Sequence, residues 1–183
     1  MNIVISGGPC SGKTTLIKQL AAEGFSTLSE SALDLMEEHI KCIGLDSFID
    51  WKSNNLLDFQ LKIFQLQIER ELTLDKHTIN ILDRGCIDAI AYLHHYNIPI
   101  PKHMQRQAQA ADYSLIINCT TLSNFNRRVQ SGRSENYTNS VEIGVIIASS
   151  YQQHGFNLVT LQEASLQSRL STALELIADA RAI

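Results

Sequence analysis

The sequence predicts a three-layer α/β domain, a parallel sheet covered by helices on both faces, and three observations predict it. A short β-branched strand, Asn2 to Ser6, opens straight into a run of glycines. Short apolar runs then alternate with longer stretches of helical spacing, the signature of parallel strands joined by crossover helices. The composition, 44% hydrophobic and 19% charged over 183 residues, belongs to a chain that buries a core. A single domain, residues 1–183, takes in all of it.

Each element has its own warrant. Leu16 to Ala22 reads as a helix, with Gly24 placed to cap its end. Phe25 to Ser29 reads as the second strand. Ser31, with Asp34 three residues on, resembles a capping box opening a helix that carries Leu33, Met36 and Ile40 on one face. Leu57, Leu61, Phe64, Ile68 and Leu72 keep helical spacing and predict a longer helix with that stripe inward. Thr78 to Leu82 and Tyr113 to Asn118 are the third and fourth strands. Val141 to Tyr151 is a helix and Asn157 to Leu161 the fifth strand. The chain closes on a helix with Leu166, Leu170, Leu174 and Ile177 inward. No repeat, low-complexity tract or linker interrupts the series.

The bulk properties exclude several classes. No apolar run approaches the roughly 20 residues that cross a bilayer, so no membrane role is expected. Ile3 to Ile5 is too short for a signal-peptide core and follows no basic segment, so the protein is expected to begin at Met1 and remain in the cytoplasm. Cys10, Cys42, Cys86 and Cys119 show no C-x-x-C spacing, which points to reduced thiols, three of them core filler. A net charge of −4 argues against a broad nucleic-acid surface.

Chemistry concentrates at the first turn. Gly7-Gly8-Pro9-Cys10-Ser11-Gly12-Lys13-Thr14, followed by Thr15, satisfies G-x-x-x-x-G-K-[ST] at every specified position. Glycines let successive N–H groups aim at phosphate oxygens, and the helix beginning near Lys13 presents its positive end to the same anion. Lys13 is expected to reach the β- and γ-phosphates and Thr14 to offer its hydroxyl to Mg²⁺, which predicts Mg-ATP as the ligand. Cys10 sits at a variable position of the motif.

The third strand delivers Asp83 and Arg84 at its carboxyl end, where open α/β sheets bind their ligands. Beside the first strand, Asp83 would stand next to Thr14 and help hold the magnesium; its plainer reading is a helix cap or turn residue. Arg84 would face the phosphates, or else form a surface ion pair. Glu30, ending the second strand, is either a carboxylate for an acceptor hydroxyl or a solvated residue at a helix start. Gln65, Gln67 and Arg70 either line an acceptor pocket or form a wet helical face. Arg127, Arg128 and Arg133 fall in the irregular stretch Ser123 to Ser140, which reads either as an arginine-bearing flap over ATP or as a solvated segment.

Together the run Gly7 to Thr15, Ser29-Glu30-Ser31, the stretch Leu82 to Tyr92, Ser131 to Glu135 and Tyr151 to Val159 resemble the P-loop kinase-like family. These are the compact AAA-type ATPase and kinase domains grouped near the nicotinamide-riboside kinase module, with wider similarity to thymidylate and deoxynucleoside kinases. The resemblance spans nearly the whole chain. It implies a P-loop NTPase fold with a five-stranded parallel sheet in the order 2-3-1-4-5, and ATP bound between Gly7 and Thr15. It further implies that Asp83 and Arg84 match the Asp-Arg pair of thymidylate kinases, Glu30 the strand-two glutamate at the acceptor hydroxyl of deoxynucleoside kinases, and Arg133 a lid arginine. The chain departs from both groups, having neither the Glu-Arg-Ser triplet nor the Arg-Glu-Pro after strand two, so the acceptor does not transfer. The leading expectation is a phosphotransferase moving the γ-phosphoryl group of ATP to a small acceptor. The alternative is an NTPase switch read by a partner protein, and a polynucleotide kinase is disfavoured by the charge.

Overall fold

A computed structural model describes residues 1–125 and 135–182. The elements run β1 (Asn2–Ser6), α1 (Lys13–Ala22), β2 (Ser26–Leu28), α2 (Ser31–Ile43), α3 (Leu45–Asn54), α4 (Leu56–Glu71) and β3 (Asn80–Asp83). They continue with α5 (Cys86–His95), α6 (Lys102–Gln109), β4 (Leu115–Cys119), α7 (Tyr137–Gln153), β5 (Leu158–Leu161) and α8 (Leu166–Arg181). The strands form one five-stranded sheet in the order β2-β3-β1-β4-β5, parallel throughout. That is the predicted order.

Two cores explain why the sheet is covered on both faces. On one side Leu16, Ile17 and Leu20 of α1 meet Leu170, Ala173 and Ile177 of α8 over Ile3, Ile5 and Ile117. On the other, α4, α5 and α7 pack over Val4, Leu82 and Ile116. A strand buried on both faces has no polar side to alternate with, and β4 is accordingly buried at every position. A smaller cluster of Met36, Phe48 and Phe59 ties α2, α3 and α4 into a cap beyond the sheet. Among the described residues no helix is long and apolar enough to cross a membrane.

Several expectations are corrected. Helix α5 escaped periodicity because it is buried almost all round, from Cys86 to Ala91 and again at Leu93, so no apolar stripe stands out. Helices α3 and α6 are short and largely polar, and they too went unpredicted. On α4 the predicted stripe is rotated: Leu57 and Leu72 are exposed, while Phe59, Gln60, Phe64 and Gln67 face inward. An apolar pattern discounts two buried glutamines. The capping box at Ser31 does not form either. Glu30 is the cap residue of α2, Ser31 donates to Gln67 Oε1 at 2.7 Å, and Asp34 binds Arg70. Of the three cysteines read as core, Cys86 and Cys119 are buried but Cys42 is exposed.

Candidate active site

The candidate phosphate cradle is a backbone structure, and its carbonyls are held individually. Between β1 and α1 the loop closes on itself through Lys13, whose ammonium donates to Gly7 O at 3.0 Å, Gly8 O at 2.7 Å and Ser11 Oγ at 2.9 Å. The next three carbonyls are tied to the surrounding fold. Pro9 O accepts from Ser140 Oγ on α7. Cys10 O accepts from Leu122 N–H at 3.4 Å, and Ser11 O from Arg169 Nη2 on α8 at 2.9 Å. In a planar trans peptide the N–H points opposite to the C=O. Tying those three carbonyls to α7, the Leu122 segment and α8 therefore aims the N–H groups of Cys10, Ser11 and Gly12 the other way, as a concave anion nest. Two glycines are required by contact and conformation. A Cβ on Gly8 would meet the Ser140 carbonyl, and Gly12 has φ +75°, in the left-handed region.

Asp83 ends β3 opposite Ile5 in the parallel register, which sets it beside the first turn of α1. Thr14 Oγ1 donates to Asp83 Oδ2 at 3.3 Å. The other carboxylate oxygen, Oδ1, is buried with no hydrogen-bond partner. Burial pushes the Asp83 carboxyl up to about 6, assisted by the charge of Glu30 and opposed by Lys13, Arg84 and Thr14. An orphaned buried carboxylate oxygen next to a threonine hydroxyl is what a divalent cation would satisfy. Asp83 is not a helix cap: Gly85 caps α5.

Arg84 is a buried hub rather than a surface ion pair. It holds φ +73°, a costly conformation for a side chain of this size. Its backbone is gripped on both sides, N–H to Ile5 O at 3.1 Å and carbonyl from Gln67 Nε2 at 3.1 Å. That turn throws the guanidinium back between two carboxylates, with Nε on Glu30 at 2.9 Å and Nη1 on Asp88 at 2.6 Å and on Gly7 O at 3.1 Å. Burial opposes its charge, but Tyr92 and the carboxylates of Glu30, Asp88 and Asp83 around it hold the guanidinium firmly protonated. Asp88, which the sequence reading did not single out, also accepts from Ser6 Oγ and Tyr151 OH, each at 2.7 Å. Glu30 is 6% exposed, so it is no solvated helix-start residue.

Beyond this ion cluster lies a cleft lined among others by Met36, Phe59, Gln60, Ile63, Tyr92 and Tyr96. The cradle pocket and the cleft share two lining residues, Glu30 and Arg84. Of the α4 side chains predicted to line an acceptor pocket, none does so. Gln67 is a buried strut, Gln65 bonds Glu69 on the surface, and Arg70 pairs with Asp34. The cleft is served instead by Gln60, two turns earlier than Gln67. It is 5% exposed and makes no hydrogen bond among the described residues. Its signal, a glutamine on the inward face of α4, was masked because inwardness was judged by apolar residues. Arg127, Arg128 and Arg133 lie outside the described residues. Cys10 lines the cradle pocket, half-buried, at φ +55°.

Comparison with known proteins agrees with this architecture. A family model described as an AAA domain matches residues 2–169. The structure of deoxyadenosine kinase from M. mycoides with products dCMP and a flexible dCDP superposes with a TM-score of 0.68 at 11% identity, over 98% of this chain and 99% of that one. Thymidylate kinase from Candida albicans superposes with a TM-score of 0.53 at 13% identity, over 98% and 92% respectively. At such identities the likeness is one of fold. No curated protein matches the chain in sequence.

Proposed function

Because the chain belongs to the AAA domain family, matched over residues 2–169, we propose that it is a cytoplasmic ATP-dependent phosphotransferase. It moves the γ-phosphoryl group of Mg-ATP to a hydroxyl of a small acceptor seated in the cleft. One observation carries this reading: the phosphate cradle and the cleft meet at Glu30 and Arg84, which line both. A donor and an acceptor bound there face each other across that seam, and phosphoryl transfer is mainly a matter of such positioning and charge stabilisation.

The residues then divide the work. Lys13 leaves the carbonyls of Gly7 and Gly8 for the β- and γ-phosphates, where negative charge is densest. Magnesium, held by Thr14, Asp83 and the phosphates themselves, would neutralise charge on the β- and γ-oxygens. Glu30 accepts the proton of the attacking hydroxyl, and Arg84 holds Glu30 at the seam through its Nε contact. Asp88 fixes Arg84 in turn. Arg133 is proposed as the arginine that closes over the nucleotide.

The described charges lining the cleft are three carboxylates, Glu30, Asp88 and Glu135, against two cations, Lys52 and Arg84. A net negative lining supports an acceptor that carries no phosphate of its own. Gln60 supplies a donor and an acceptor for a polar edge of that molecule. Deoxynucleosides, the class named for the M. mycoides kinase, head the panel to be tested. ATP turnover by the pure protein is measured alone and with nucleosides, vitamins and sugars. Turnover that rises sharply with one acceptor class is the expected result; slow hydrolysis indifferent to every acceptor contradicts the proposal.

A further inference from the structure

We infer that Arg169 is a positioning residue of the nucleotide site, one that fixes the Ser11–Gly12 peptide from behind and whose buried charge is balanced only when phosphates occupy the cradle. The inference rests on the ATP-site reading above and adds to it a residue 158 positions distant in sequence that no phosphate-binding motif contains.

Arg169 sits on α8, the helix on the far side of the sheet from the cleft, and is 3% exposed. Its Nη2 donates to Ser11 O at 2.9 Å. A Cβ on Gly12 would stand 2.6 Å from its Nη1, so the guanidinium lies directly beneath the Gly12 Cα. One peptide plane therefore separates the cation from the concave face of the cradle. Because that peptide is planar, pulling its carbonyl towards α8 presses the Gly12 N–H towards the phosphates.

The charge is the telling feature. Lys62, Arg70 and Arg84 each pair with a carboxylate, whereas Arg169 joins none of these pairs. Its Nε is buried with no hydrogen-bond partner. Arg84, equally buried, has two carboxylates. A guanidinium taken out of water without a counter-charge is unfavourable in the free protein, and its field is poorly screened there. Its position makes the nucleotide's phosphates the anion that compensates it. Burial pushes the neighbouring Cys119 thiol up, while the charges of Arg169 and Lys13 and a side-chain hydrogen bond with Arg169 pull it down.

A structural arginine and a positioning arginine predict opposite outcomes on removal. A structural one stabilises the free protein; this one strains it and serves the ligand. The test compares wild type with Arg169→Met and Arg169→Lys, by thermal unfolding without ligand and by titration with ATP and with inorganic triphosphate, which has no base. Arg169→Met should unfold at or above the wild-type temperature, yet bind both ligands more weakly by about tenfold or more. Arg169→Lys, which keeps the charge but not the fork, should fall between. The inference is overturned if Arg169→Met binds ATP within about threefold of wild type, or if it loses stability without ligand in step with affinity. It is also overturned if only ATP, and not triphosphate, is affected. Should wild type itself bind neither ligand, the ATP-site reading falls as well, which is a separate and recognisable result. If Arg169→Met fails to fold, the stability half is refuted outright and Arg169→Lys still reports the affinity half.

Discussion

The proposed phosphate cradle and the proposed acceptor cleft lie side by side but are built in opposite ways. The cradle is backbone: five consecutive carbonyls, Gly7 to Ser11, are each held by a named donor. The cleft is side chain: Gln60, Phe59, Tyr92 and Tyr96 reach it from two helices and a following turn, and Glu30, Arg84 and Asp88 from three strand ends and helix starts. A backbone site needs glycines at fixed offsets, so it recurs wherever a phosphate must be bound. A side-chain site can be relined without touching the fold, so it is where one such protein differs from another.

The largest effect expected is on the cradle. Lys13→Ala should lower phosphoryl transfer by about a thousandfold with the fold intact, since Lys13 donates to loop atoms, the Gly7 and Gly8 carbonyls and Ser11 Oγ. Circular dichroism and turnover under saturating Mg-ATP check it together, and loss of fold would show the loop to be less independent than described. At the seam, Glu30→Gln should lower kcat on the order of a hundredfold while the KM for ATP stays within about threefold. Equal losses in both would make Glu30 a strut for Arg84 instead. In the cleft, Gln60→Leu should raise the acceptor KM by about tenfold and leave ATP alone. If it altered ATP instead, the two regions would not divide donor from acceptor.

The smallest effect is one of pH. The Asp83 carboxyl titrates at about 6 when folded against an ordinary 3.8, so between those values the folded chain holds a proton that the unfolded chain has lost. This group therefore makes the ligand-free protein more stable as pH falls from about 6. Nucleotide binding with magnesium should move the other way and weaken below about 6, because a cation requires the carboxylate. Asp83→Asn should flatten both dependences and raise the magnesium requirement, as titrations at several pH values would reveal.

How much of this was legible follows from the same contrast. Gly7 to Thr14 could be read outright, strand–helix alternation gave the parallel sheet, and the resemblance to P-loop kinases implied the order that β2-β3-β1-β4-β5 displays. Asp83 was legible because it ends an apolar strand. The pairing of Arg84 with Glu30 across 54 residues was not, because it depends on β2 lying beside β3 and on a left-handed turn at Arg84 that no propensity suggests. Gln60 was hidden by its own polarity. Helix α5 was hidden by having no polar face at all. Arg169 was hidden by its distance from the loop it holds.

The central claim is that phosphorus leaves the cradle for a hydroxyl in the cleft, and phosphorus NMR follows that transfer directly. The protein is incubated with Mg-ATP and the acceptor panel while the γ-phosphorus signal is tracked. The account predicts that this signal is replaced by that of a phosphomonoester on one acceptor class, that ADP rises in step, and that Lys13→Ala abolishes both. Appearance of the γ-phosphorus solely as inorganic phosphate, whatever acceptor is present, would contradict it.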